Sequence, residues 1–213
     1  MFLEKEILPE RIIYMLNLSI GYTVPDASML YEGYSIKGNY ITANVNDEKI
    51  IDVAQHFITV QEEPMFFILE FPTNGNDETY NSEGLIVIFH KDVFYIDGCS
   101  AEKLLDILKK YNDVLINDGL CRFGFASHKS GDEIMFEKYN VVTIFSKNID
   151  KYNDFFERHQ IPFTEKLITA WHTFSQDAPG ESIVYKGGNR DIHMVIDELK
   201  TIGLYFAERR EDL

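Results

Sequence analysis

The chain has 213 residues, and its 20 Lys and Arg stand against 35 Asp and Glu, a formal net charge of −15 at pH 7. A surface of that sign repels phosphate backbones and anionic headgroups, which sets aside nucleic-acid and membrane-surface binding. It steers a basic protein or peptide fastest, and it also serves plain solubility.

A chain of this length buries roughly 70% of its unfolded surface, so no disulfide or metal staple is required. The 16 Phe and 12 Tyr supply large core area. Cys99 and Cys121 show no metal-ligand spacing and are expected as reduced thiols. Residues 1–10 are charged and lack an apolar h-region, and no run reaches the ~20 apolar residues of a membrane span. Together these features predict a cytoplasmic protein, neither exported by a classical signal nor embedded in a membrane.

In chain order, residues 11–18 are apolar and fit strand or helix, with Pro9 favouring a helix start. Residues 34–45 read as a hairpin around Gly38-Asn39. Asn46 and Asp47 then offer N-caps to a helix from 48 to about 60, with Ile50, Ile51, Ala54, Phe57 and Ile58 on one face. Three apolar runs follow at 65–71, 85–89 and 93–97, the last two joined by His90-Lys91-Asp92 as in a hairpin. They predict an antiparallel meander buried on both faces, with 72–84 as a polar loop.

Ser100 caps the clearest helix, whose stripe is Leu104, Ile107, Leu108, Tyr111, Val114 and Leu115, with Gly119 expected as its left-handed stop. A strand at 121–126, a turn at 127–132 and a strand over 134–145 follow. Ile149, Tyr152, Phe155, Phe156 and His159 predict an amphipathic helix ended by Pro162. Thr164 caps a short helix carrying Leu167, Ile168, Trp171 and Phe174, which makes Trp171 a core residue; exposed, it would be an interface anchor. A short strand at 182–186, a turn at Gly187-Gly188-Asn189 and Asp191 as N-cap lead into the last helix, which Gly203 ends before an edge strand at 204–207.

Hairpins interrupt the strand–helix alternation, so the expected fold is α+β, a mostly antiparallel sheet with amphipathic helices packed on one face. One compact body is expected, with 120–130 the place where two lobes would divide. Lys-Tyr-Asn-Asp at 110–113 recurs at 151–154 and hints at a duplicated unit.

Two constellations could carry function. Residues 61–83 hold Glu62, Glu63, Glu70, Asp77, Glu78 and Glu83 with no Lys or Arg, a landing site for a cationic surface or a plain solvated loop. No Asp-x-Asp-x-Asp-Gly loop is present, so no calcium site, other metal or cofactor is expected. Ser127-His128-Lys129-Ser130-Gly131-Asp132-Glu133 puts a hydroxyl, an imidazole, an amine and two carboxylates on one turn. His128 and Asp132 could form an acid–base pair there, although a polar turn around glycine needs no such role.

Arg122-Phe123-Gly124-Phe125, Ser130-Gly131-Asp132-Glu133 and Ala170-Trp171-His172-Thr173-Phe174 give the C-terminal half its character. In this the chain resembles bacterial immunity proteins of polymorphic-toxin systems, small acidic α+β proteins that neutralise a cognate toxin. The resemblance implies a stoichiometric binder of a basic protein, and it carries over no individual residue. The expected contacts are Glu70, Asp77, Glu78, Glu83, His128, Asp132 and Glu133. The alternatives are an enzyme built on His128, Asp132 and Glu133, and a homodimer paired through the edge strand at 204–207.

Overall fold

The computed structural model describes residues 15–73 and 78–212, so residues 11–14 of the expected first element and loop residues 74–77 lie outside it. A short strand β1 (Tyr22–Thr23) precedes the hairpin β2 (Gly33–Lys37) and β3 (Tyr40–Asn44), then helix α1 (Ile50–Val60) and strand β4 (Met65–Pro72). β5 (Thr79–Tyr80), β6 (Ile86–Ile88) and β7 (His90–Cys99) lead to helix α2 (Ala101–Asn117). The chain continues through β8 (Arg122–Ser127), β9 (Glu133–Phe136), β10 (Val141–Phe145), β11 (Glu181–Ser182), helix α3 (Ile192–Lys200) and β12 (Tyr205–Glu211).

Eight of these strands form one antiparallel sheet in the order β12-β7-β4-β8-β9-β10-β3-β2. The two-residue period of a strand decides what each face buries. Met65, Phe67 and Leu69 share the main core with Phe123, Phe125, Val142 and Ile144 and with the apolar stripes of α1, α2 and α3. The intervening Ile68, Val93, Ala126 and Met135 form a separate cluster. The protein is therefore α+β, with its three α-helices on one face of an antiparallel sheet. Capping matches the sequence: the Ser100 hydroxyl accepts from the Lys103 amide at 3.2 Å and the Asp191 carboxylate from the Met194 amide at 3.1 Å. The Glu63 carboxylate adds a bond from the Ala101 amide at 2.7 Å, favoured by the positive helix start.

Several expected elements differ. His90-Lys91-Asp92 is the start of β7, not a turn, and β6 leaves the main sheet to pair with β5. The run at 85–89 is thus not buried on both faces, and Leu85 and Phe89 are exposed. Residues 134–145 divide into β9 and β10 around Tyr139 and Asn140, which take the left-handed backbone at φ 60° and 58°. Of the three helices expected after β10 the first two do not form as α-helices; single 3-10 turns stand at Ile149–Tyr152, Glu157–His159 and Ala170–His172. Gly119 does not adopt the left-handed backbone; it is glycine because a Cβ would lie 2.2 Å from the Gly21 carbonyl oxygen.

Asn140 holds this hairpin to the rest of the chain. Its side-chain oxygen accepts from the Ser19 amide at 3.0 Å, and its amide nitrogen donates to the Asn17 and Val45 carbonyls at 3.2 and 3.1 Å. Tyr139 beside it is fixed by ring contacts with Tyr22, Trp171 and Phe174. Replacing Asn140 by Ala is expected to lower the unfolding free energy by about 2–4 kcal/mol, and by Gly less, because glycine keeps the left-handed backbone. Urea denaturation of both variants checks this; equal losses would remove backbone conformation from the account.

Candidate functional site

The residues expected to meet a partner are divided by the fold between inside and outside. Glu70 is buried on β4, where its carboxylate pairs with Lys91 at 2.7 Å and Arg122 at 3.5 Å. Arg122 also meets Glu137 at 3.5 Å and Asp212, so the network binds the chain's end to the sheet. Glu78 takes a hydrogen bond from the Thr73 hydroxyl, which with the His90 amide and ring holds its carboxyl below the usual range. Asp77 lies outside the described residues. Glu83 is exposed in a turn that the Asn81 side chain closes by accepting from the Glu83 and Leu85 amides.

The dense heptapeptide does not assemble an acid–base pair. His128 is exposed on the turn, its ring against Phe66 and its Nε2 3.3 Å from Asp97. Asp132 is buried and turns to other partners: Ser146 Oγ at 2.6 Å, Lys151 Nζ at 2.9 Å and the Tyr152 hydroxyl at 2.9 Å. Burial pushes its carboxyl up, but these three donors outweigh burial and hold it below the usual range. Glu133 is half-buried on β9, and burial, then the nearby Glu70, raises its carboxyl. Glu70 and Asp132 therefore leave the partner-facing set. Their carboxylates are already spent on the fold.

What the structure does present lies around the turn between β3 and α1. Tyr34 exchanges backbone bonds with Pro162 and Thr164, at 2.9 and 2.8 Å, which lays 162–168 alongside 29–34. The Asn44 amide nitrogen pins both walls, donating to the Tyr31 carbonyl at 3.0 Å and the Ile168 carbonyl at 2.8 Å. Between them opens a largely apolar cavity of about 390 Å³, walled by Met29, Tyr31, Phe163, Leu167 and Ile168. At its base the Glu32 carboxylate, with no exposed side-chain surface, accepts from the Asn46 amide at 3.0 Å and pairs with Lys49 at 2.6 Å.

On the other side of this turn, the N-terminal end of α1 meets the C-terminal end of α2 over a shallow groove of about 220 Å³. Asp47, Glu48 and Asp113 line it together with Ile51, Asn112 and Asn117, and no Lys or Arg does. Sequence reasoning missed both features. Asp47 reads only as an N-cap, nothing in the sequence joins it and Glu48 to Asp113, and no local pattern links residues 29–32 with 162–168. Trp171 was expected in the core and is instead 53% exposed, its indole edge-on to Tyr139 and Phe174.

A further cleft, of about 180 Å³, is lined by His56, Lys151, Asp154, Phe155 and Arg158. His56 Nδ1 lies 2.9 Å from His159 Nε2, and His56 stacks on Phe155 at 4.3 Å. Burial first, and then His159 and Arg158, hold His56 below the usual histidine value against the opposing Asp154. Burial likewise lowers His159, with Asp52 opposing and Lys49 reinforcing. No metal-holding group of three or more His, Cys, Asp or Glu occurs among the described residues.

Two outcomes follow from these side chains. Asp132→Ala should destabilise the protein by about 3 kcal/mol, since the Ser146 and Tyr152 hydroxyls lose the acceptor they donate to and Lys151 is left with Gln61 alone; a loss under about 1 kcal/mol in urea denaturation would mean that the network holds little. Both histidines bind protons less readily folded than unfolded, so they contribute full stability above about pH 6.5 and lose it as pH falls through that value. His159→Gln should flatten the fall in Tm between pH 7.5 and 5.5, and an unchanged slope would exonerate the pair. Compared with known proteins, the chain matches no protein-family model, no curated protein and no solved structure.

Proposed function

We propose that this protein is a stoichiometric binder that occludes a basic protein partner, in its most concrete form an immunity protein neutralising a bacterial toxin. The observation that carries the reading is the outer face of the helix layer. Glu48, Asp52, Glu102, Asp106 and Asp113 are exposed there, and none of the ion pairs among the described residues uses them. Of the lysines on the same segments, Lys49, Lys103 and Lys110 are held, by Glu32 at 2.6 Å, the Ile202 carbonyl at 3.3 Å and Glu198 at 3.0 Å, while Lys109 is exposed. Glu70 on β4 and Asp132 beside it are paired internally, so they are not open to a partner as these helix acids are. A field of that kind raises the association rate of a cationic partner and falls off with salt.

The expected contact set thus moves from the 61–83 loop to the α1–α2 face, with Glu83 and His128 as exposed members of the original set. Affinity capture with the tagged protein tests the reading. A basic protein should be retained at low salt and released at high salt. The pair Glu48→Lys and Asp113→Lys should weaken that retention at least tenfold, roughly 1.4 kcal/mol or more, while leaving the Tm in place. Retention of the same protein undiminished by the double charge reversal would sink the proposal.

A further inference from the structure

Two half-buried histidines join α1 to the segment that follows β10 through a bond between their rings. His56 stands on α1 and His159 closes the 3-10 turn Glu157–His159, with His56 Nδ1 2.9 Å from His159 Nε2. A hydrogen bond between two imidazole nitrogens needs one N–H and one lone pair, and an imidazolium offers only N–H groups. One proton can enter with the bond intact, on the outward nitrogen of the donating ring. A second finds only the bridging lone pair. It removes the acceptor and sets two positive charges side by side.

We infer that this pair is an acid-operated latch, whose doubly protonated state frees the turn at 157–160 from α1 while the sheet and α1 stay folded. The charges around the pair do not offset a second proton. Asp52 and Lys49 face it from the α1 side, and Lys151, Asp154 and Arg158 from the other. Asp154 is engaged by Arg158 at 2.7 Å, Lys49 by Glu32 at 2.6 Å and Lys151 by Asp132 at 2.9 Å. Glu157 takes the Tyr34 hydroxyl at 3.3 Å. Asp52 is then the one carboxylate facing the pair without an ion-pair partner among the described residues, one charge against two protons. Burial keeps both rings below the usual histidine range, so the bond is made at neutral pH.

The packing on either side confines the movement to this turn. Phe155, Phe156 and Ile161 are buried in the main core, and the Tyr152 hydroxyl is held by Asp132. Between them the chain closes on Gln160, left-handed at φ 59°, whose amide bonds to the Glu157 carbonyl at 2.9 Å while the Ile161 amide bonds to the Phe156 carbonyl at 3.0 Å. Helix ends of this pattern favour glycine at the left-handed position, and a glutamine there is strained. Releasing His159 relieves that strain. It also uncovers the stacked rings of His56 and Phe155 and widens the cleft of about 180 Å³ that they line. Proton uptake is thereby turned into a change of surface without unfolding.

NMR of the isotope-labelled full chain between about pH 7.5 and 4.5 tests the inference, with ring nitrogen shifts counting the protons on each histidine. The proton–proton contact between the His56 and His159 rings should survive the first protonation step and vanish with the second. Over the same range the contact between Phe67 and Phe125 in the core should persist. His159→Gln and His56→Gln each keep a hydrogen-bonding group that stays neutral, so in either variant the contact between positions 56 and 159 should last to the acid end of the range. A ring contact that outlives the second protonation would overturn the latch, and so would a pair that takes up no second proton. Loss of the Phe67–Phe125 contact at the same pH would make the event unfolding instead. Equal loss of the 56–159 contact in the two glutamine variants would remove the histidines as its cause.

Discussion

A carboxylate without solvent contact must be shared out among donors, and that of Glu32 is divided between the Asn46 amide and Lys49. This one group sets the start of α1, because Asn46 is the residue from which the helix turn departs. It also removes Lys49 from the surface and closes the base of the apolar cavity. An unpaired charge at that depth would be severely costly, so the Glu32–Lys49 pair and the backbone around it are bound to form together. The pair ties the residue before β2 to the turn between β3 and α1, and the cavity and the groove lie on either side of that turn.

The same principle sorts the remaining acids. On strands, a carboxylate that points to the sheet is partly desolvated and collects cations, as Glu70 collects Lys91 and Arg122. On helices, a carboxylate on the outer side needs no partner because water solvates it, as with Glu102 and Asp106 of α2. Arg122 on β8 shows the demand at its strongest, serving Glu70, Glu137 and Asp212 at once.

Much of the fold could be read from the sequence because two signals dominate. The apolar runs at Met65–Pro72 and Val141–Phe145 have few alternatives to strand, and Ser100 and Asp191 stand at true helix starts. The failures have physical causes. Ile149, Tyr152 and Phe155 recur every three residues, a spacing that a series of 3-10 turns satisfies as well as a helix, and tertiary packing of Tyr152 and Phe156 decides between them. The β9–β10 turn carries Tyr139 at positive φ, where glycine would be expected, because three aromatic rings hold it in place. The candidate surface was illegible for a different reason: Tyr31 and Ile168 become neighbours only through Asn44, and Glu48 and Asp113 only through helix packing. A count of acids along the chain could not distinguish Glu70, spent on Lys91, from Glu48, left to water.

The two ends of the large sheet are finished in opposite ways. β2 has its outer edge occupied by Pro162 and Thr164, whereas nothing among the described residues lies beyond β12. β12 nevertheless ends in Glu208, Arg209, Arg210 and Glu211, all exposed, and a bulge separates Phe206 from Glu208. A ninth strand docking there would strip water from four consecutive charged side chains and meet a backbone twisted out of register. Extending the sheet would thus meet a segment already in place at one end and hydrated charge at the other.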